Sequence, residues 1–176
     1  MNKPLVGVRV LDLTHMLSGP YAGMILADLG AETIKVEPLQ GEGTRTLLAT
    51  DPNNSLGGMG AYYLTLNRNK TSVAIDLKSA RGMEVFQRLV EKSDIVLSNF
   101  AAGVPERLGL DFDTLRRVNP RIITCTITGF GETGPGKDWP AFDMVAQAMG
   151  GGMSITGDLP FGGFKCSGVG REWGRE

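Results

Sequence analysis

A chain of 176 residues with 41% apolar and 21% charged residues is long enough for one domain with a sizeable core, and its balance is that of an ordinary soluble globular protein. Its net charge of −1 argues against nucleic acid or an anionic membrane as the main partner, and no stretch approaches the roughly 20 apolar residues of a membrane span. Cys125 and Cys166 are too few for a disulfide framework, and the single histidine, His15, leaves no metal-ligand spacing, so no metal is expected. The opening MNKPLVGVRV has no signal-peptide core and runs into a strand pattern, which makes a reducing cytoplasm the expected location.

The first element is a strand through Val8, Val10, Leu11 and Leu13, followed by the polar groups of Thr14, His15 and Ser18. Gly19-Pro20 then starts a helix, with proline in the first turn where its missing N–H costs nothing. Ala22, Ile25, Leu26 and Leu29 recur at helical spacing and predict its buried face, and Gly30 closes it. Thr33, Ile34 and Val36 make the next strand. Residues 38–60 form a long polar, glycine-rich stretch of the kind that is functional or disordered. Order returns at Tyr62, Tyr63, Leu64 and Leu66, and TSVAIDL (71–77) alternates as a strand. Ser79 is a suitable N-cap for a helix reaching about Lys92, with Met83, Phe86, Leu89 and Val90 on one face. DIVLSNF (94–100) is a further strand. Short helices follow around 104–108 and 113–118, the second stopped by Asn119-Pro120. RIITCTIT (121–128) has the clearest strand pattern of all. The stretch 129–140 is a loop by composition, and a helix is expected from Asp143 to about Met149.

Strands alternating with helices at these lengths predict an α/β fold: a doubly wound, mostly parallel, Rossmann-like sheet covered on both faces. In such sheets ligands sit beyond the carboxyl ends of the strands, which directs attention to residues 14–19. Nicotinamide binding fares poorly there, because Gly19 and Gly23 do not complete G-x-G-x-x-G. Glu37 stands where a ribose-binding acid would be. Without the glycines, a solvated strand-end carboxylate is the expected reading. A better constellation comes from several strand ends together: His15 and Ser18, then Asn99 and Phe100, then Arg107 one short helix on, and the loop 129–140. Guanidinium, amide, imidazole and aromatic ring suit a phosphorylated nucleotide, although each residue alone has a local structural role as its simpler reading.

THMLSGPYAG, LADLGAETIKVE, NRNKTSVAIDLK, LSNFAAGVPERLGL, NPRIITCTITGFGETGP and FDMVAQAMGG together resemble the N-terminal half of the class III CoA-transferases, over about residues 3–157. The resemblance implies coenzyme A, carried as an acyl-CoA substrate, and a carboxylic acid as second substrate. It implies coenzyme contacts at His15, Met16 and Ser18 in the first turn, Ile75 against the adenine, Asn99 and Phe100 along the cofactor, and Arg107 at phosphate. Leu17 stands where some members carry a substrate-orienting glutamine, so it leaves the substrate unnamed. The related racemases carry a histidine before the aspartate of the FD pair. Phe142 occupies that place here and cannot take a proton, which favours a transferase.

The implied mechanism uses an enzyme carboxylate that attacks the donor thioester. Asp143 matches an auxiliary acid near the active centre, and its simpler reading is an N-cap for a helix beginning at Met144. The family's nucleophilic aspartate lies beyond the segment matching MGGGMSITG, and the glycine loop that covers it is not Gly150–Gly152. Residues 158–176 instead resemble a C-terminal segment of aldehyde dehydrogenases, without that family's nucleophilic cysteine. A fusion, a frameshift or a cloning artefact would produce such a join. The expectation is therefore two parts, 1–157 and 158–176, with the family's large domain incomplete, cut before the nucleophile and weak or inactive alone. Absence of the family's second half would expose apolar surface and promote self-association. The rival readings are a transferase completed by Asp143 or a partner chain, a CoA-binding module without turnover, and an association fragment.

Overall fold

Five short strands line up side by side in the order β5-β2-β1-β6-β7, and all of their pairings are parallel. The computed structural model describes residues 3–150. In chain order the elements are β1 (Arg9–Asp12), α1 (Ser18–Asp28), β2 (Glu32–Glu37), a 3-10 turn at Gly43–Arg45, a small hairpin of β3 (Ser55–Leu56) and β4 (Met59–Gly60), α2 (Ala61–Leu66), β5 (Lys70–Ala74), α3 (Ala80–Val90), β6 (Ile95–Ser98), α4 (Val104–Leu108), α5 (Phe112–Val118), β7 (Ile123–Thr126) and α6 (Asp143–Met149). The chain divides into two compact units, 1–127 and 128–176. The expected join at residue 158 lies outside the described residues.

The strand order follows from the connections. β1 passes through α1 to β2 on one side and the chain continues outward to β5; after α3 it returns to the other flank of β1 as β6, then moves on to β7. The winding therefore reverses between β1 and β6, and the space beyond the carboxyl ends of those two strands is the switch point where such sheets bind ligands.

One face of the sheet is apolar. Leu11, Leu13, Val36 and Val96 pack with Phe86 and Val90 of α3, Leu115 of α5, and Ile75, Leu110 and Ile122. The helical spacing of Met83, Phe86, Leu89 and Val90 is what buries this side of α3, and the Ser79 hydroxyl caps the helix by accepting from Gly82 N at 3.0 Å. The opposite face is mixed. Toward β6 it carries a second apolar cluster of Val10, Ala31 and Leu97. Toward β5 it carries Asp12, Thr33, Lys35, Glu37 and Lys70, and the first four of these are almost fully buried.

The first helix differs from expectation. Its buried positions are Gly19, Pro20, Gly23, Met24 and Ala27, whereas Ile25 and Leu29 are 41% and 40% exposed. Ala22 and Leu26 half-bury against the second apolar cluster. The reason is steric. The helix rests on the Asp12–Lys70 ion pair, and a Cβ on Gly23 would lie 2.5 Å from Asp12 Oδ2 and 3.2 Å from Lys70 Nζ. The lack of a side chain at Gly23 allows that approach. The strands 70–74, 95–98 and 123–126 are also shorter than their sequence patterns suggested. β7, with the clearest pattern, is an edge strand whose Ile123 is 59% exposed.

Within the second unit, Phe130 and Trp139 pack edge to face with ring centroids 5.5 Å apart, and Gly131 and Gly134 adopt positive φ in the loop. Helix α6 begins at Asp143 itself. Phe142 is the N-cap residue, so the expected capping role of Asp143 is not realised; its Oδ2 instead accepts from the Gln147 amide one turn on.

Candidate coenzyme-binding turn

The carboxyl end of β1 leads into a turn, residues 14–17, whose backbone is gripped from four directions. Asp12 Oδ1 accepts from Thr14 N at 2.9 Å and from the Thr14 hydroxyl at 2.5 Å. Lys35 Nζ, on β2, donates to Thr14 O at 2.7 Å. Asn99, just past β6, accepts from His15 N at 2.9 Å and donates to His15 O at 2.8 Å. Glu42 Oε1, from the stretch after β2, accepts from Met16 N at 3.2 Å. Met16 sits at φ +67°, a conformation uncommon for a residue with a side chain, and the turn presents Met16, Leu17 and Ser18 to solvent.

The His15 ring lies 5.1 Å from the Phe100 ring in a tilted pair. Burial, reinforced by the nearby Lys35 ammonium, lowers the imidazole pKa below its ordinary value, although Glu42 and Asp12 pull the other way. At neutral pH the ring is therefore neutral, able to donate from one nitrogen and accept at the other.

Behind the turn lies a buried ionic layer. Lys70 Nζ bonds Asp12 Oδ2 at 2.8 Å, Pro20 O at 2.8 Å and Asn67 Oδ1 at 2.9 Å, and burial lowers its pKa despite the Asp12 carboxylate. Glu37 is 3% exposed, which overturns the expectation of a solvated strand end. It accepts from Arg45 through both carboxylate oxygens at 2.7 Å, from Ser72 at 2.6 Å, from Tyr63 at 3.0 Å and from Glu42 N at 2.8 Å. Burial opposes its ionisation, yet these donors outweigh that cost and hold the carboxyl at about 2. The same burial, together with the Glu37 charge, raises the Tyr63 pKa. Arg45 also stacks over the Tyr63 ring at 4.1 Å. The 38–60 stretch is thus ordered where it carries Glu42 and Arg45.

Of the residues singled out by sequence, the fold brings His15, Asn99 and Phe100 together at the switch point, with Met16 and Ser18 exposed on the same turn. Arg107 is exposed on α4, the short helix that follows. Ile75 is buried in the apolar core. Asp143 is exposed and belongs to the other unit. Asp12, Lys35, Glu42 and Lys70 escaped the sequence reading. The alternation Thr33-Lys35-Glu37 along β2 was the available signal, because it places every second residue on one face. Among the described residues no cluster of histidine, cysteine and carboxylates could hold a metal, and no helix is long and apolar enough to cross a membrane.

A model of CoA-transferase family III matches residues 5–163. The chain belongs to that family. It is 44% identical over 161 residues to the succinate–glutarate CoA-transferase of Agrobacterium fabrum, covering 88% of this chain and 40% of that protein. It is 45% identical over 158 residues to the formyl-CoA:oxalate CoA-transferase of Streptomyces avermitilis, covering 89% of this chain and 37% of that protein. A solved CAIB/BAIF family protein from Brucella suis superposes with a TM-score of 0.80 at 40% identity, covering 96% of this chain and 44% of that one. The chain therefore spans about two-fifths of the length of these relatives.

Proposed function

We propose that this CoA-transferase family III chain carries the coenzyme A-holding part of an enzyme that moves CoA between an acyl-CoA and a carboxylic acid, and that alone it binds the coenzyme with little turnover. The observation that carries the reading is the meeting of His15, Asn99 and Phe100 beyond β1 and β6, where the winding of the sheet reverses. The donor set suits the ligand. A neutral imidazole and an aromatic ring suit the uncharged pantetheine arm, with its amides and methylene groups, Arg107 offers a guanidinium to phosphate, and the first-turn N–H groups of α1 add partial positive charge. Exposed Met16 and Ser18 border the same turn.

In the full reaction an enzyme carboxylate attacks the thioester carbonyl, forming a mixed anhydride and releasing CoA thiolate. The thiolate returns to the enzyme-side carbonyl, giving an enzyme-bound thioester and the free acid, and the acceptor carboxylate then repeats the exchange in reverse order. This chain's contribution is to hold the coenzyme. Asp143 serves as an auxiliary acid, not as the nucleophile, and Ile75 supports the adenine side from within the core. The relatives named above act on dicarboxylates and on oxalate, and the acceptor of this chain is proposed only as a carboxylic acid. Localisation in the cytoplasm goes with this reading.

Isothermal calorimetry with coenzyme A tests the binding. Arg107→Ala weakens it by about 1.5–3 kcal/mol if a charged hydrogen bond to phosphate is lost, whereas unchanged affinity removes Arg107 from the site. Intact-mass measurement after incubation with succinyl-CoA tests the rest: a covalent adduct on Asp143 would overturn the inactive reading. Self-association is part of the same proposal. Tyr21 and Ile25 on α1, with its cap residues Leu17 and Leu29, recur every fourth residue and are 40–52% exposed, an apolar stripe suited to a second copy. Light scattering across a concentration series should show dimers that Ile25→Glu dissociates.

A further inference from the structure

Asn99 turns both ends of its amide toward the protein. Its amide oxygen accepts from His15 N and its amide nitrogen donates to His15 O, and the bonds at 2.9 and 2.8 Å close a two-point clamp on one residue of the turn. Phe100, the next residue, meets the same histidine's ring. Glu42 is committed in the same way: Oε1 takes Met16 N while Oε2 takes the Thr44 hydroxyl. With Asp12 on Thr14 N and Lys35 on Thr14 O, five successive polar groups of the backbone are each satisfied by a side chain from elsewhere in the fold. A left-handed Met16 persists only where its surroundings over-determine it, and these bonds do so. Gly19 completes the fit, since a Cβ there would collide with the Thr14 side chain.

We propose that Asn99 and Glu42 are positioning residues: they lock residues 14–16 in the one conformation that presents the His15 ring and the start of α1 to the coenzyme, and they act on it only through that turn. The inference rests on the reading of the turn as the coenzyme A site. It assigns Asn99 a different role from the cofactor contact that sequence resemblance implied, and it gives Glu42 a role where none was read.

Because His15 is the only histidine in the chain, its ring signals report the turn without overlap in NMR spectra of the intact protein. The amide exchange rates of His15 and Met16 and the affinity for coenzyme A are measured for the wild type, for Asn99→Ala and Glu42→Ala, and for Asn99→Asp and Glu42→Gln, which each keep an acceptor for the turn. Asn99→Ala should speed His15 amide exchange, and Glu42→Ala that of Met16, by about tenfold or more while core amides stay protected. Both should weaken coenzyme A binding by about tenfold, with partial recovery in the conservative variants, and the Asn99 side-chain amide signals should stay in place when coenzyme A is added to the wild type. Unchanged exchange in the alanine variants overturns the clamp. Faster exchange with wild-type affinity overturns the positioning role, as does a large coenzyme-induced shift of the Asn99 amide signals. A wild-type protein that binds no coenzyme A overturns the site reading itself, and the exchange rates still decide whether the clamp exists. If the alanine variants fail to fold, Asn99→Asp decides: it keeps an acceptor for His15 N but sets a carboxylate oxygen against His15 O. His15 amide exchange should then be faster and coenzyme A affinity lower than in the wild type, and wild-type values of both overturn the proposal.

Discussion

The two faces of the central sheet solve the same packing problem with different chemistry. Against α3 and α5 the strands present Leu11, Leu13, Val36 and Val96, and burial there is non-directional: any side chain of suitable volume would serve. Against α1 and α2 the neighbouring residues of the same strands present Asp12, Lys35 and Glu37, where each charge needs a partner at a fixed position. The candidate site grows out of the second face. Asp12 and Lys35 reach past the end of the sheet to hold Thr14, and Glu42, whose N–H is tied to Glu37, holds Met16. The apolar face supplies stability. The polar face supplies stability together with a defined shape for a loop that would otherwise sample several.

Paired truncations make the comparison sharp, and they carry the largest expected effects. Phe86→Ala on the apolar face and Asp12→Ala on the polar face should each destabilise the fold by about 3–5 kcal/mol, the first through a cavity and the second by leaving Lys70 buried without its counter-charge. Chemical denaturation measures both. The two should part in a second step, because Asp12→Leu combined with Lys70→Met should regain much of the loss, whereas no second substitution at a charged residue should rescue Phe86→Ala. Equal failure of the double variant would mean that the Asp12 bonds to Thr14, not the ion pair, dominate on that face.

Acid separates the faces next. Glu37 has a folded-state pKa of about 2 against an ordinary 4.5, so below 4.5 the unfolded chain binds more protons than the folded one. Its contribution is therefore fully present above pH 4.5 and is lost as pH falls through about 2. At about 1.4 kcal/mol per pH unit, this comes to about 3 kcal/mol. Denaturation midpoints followed from pH 5 to pH 2 should fall in the wild type and fall much less in Glu37→Gln. Parallel slopes would show that the Arg45, Tyr63 and Ser72 bonds add nothing to the ionised form. The smallest effect is expected at Thr33, whose buried hydroxyl, among the described residues, has no hydrogen-bond partner. Thr33→Val keeps its shape and removes the orphaned group, so stability should rise, by up to about 1 kcal/mol; a loss would reveal a partner such as an ordered water.

Much of the architecture was legible before any coordinates. α4 appears where it was expected, α5 within one residue, and α6 starts at Asp143 as its pattern indicated. Ser79 caps α3 as expected. The misreadings share one cause. Ile25 and Leu29 have the spacing of a buried stripe, but α1 turns another face inward, resting on an ion pair where Gly23 leaves no room for a Cβ. Glu37 has the composition of a solvated strand end, yet Arg45, Tyr63 and Ser72 converge on it from other parts of the chain. In the candidate site, His15, Asn99 and Phe100 could be named from strand ends and family likeness. That Asn99 faces the His15 backbone could not, since the two lie 84 positions apart and nothing in the spacing aims an amide.

Local spacing and residue type were enough to determine the strands of the main sheet, most of the helices, their order and the apolar face of the sheet, because hydrophobic periodicity and capping act over a few residues and need no distant partner. The family was legible from longer motifs by resemblance. Tertiary structure alone decided the partners of the buried charges and the conformation of the 14–17 turn. A hydrogen bond or ion pair depends on direction and distance, and residues such as Asp12 and Lys70, 58 positions apart, acquire those only when the sheet has brought β1 and β5 beneath the same helix.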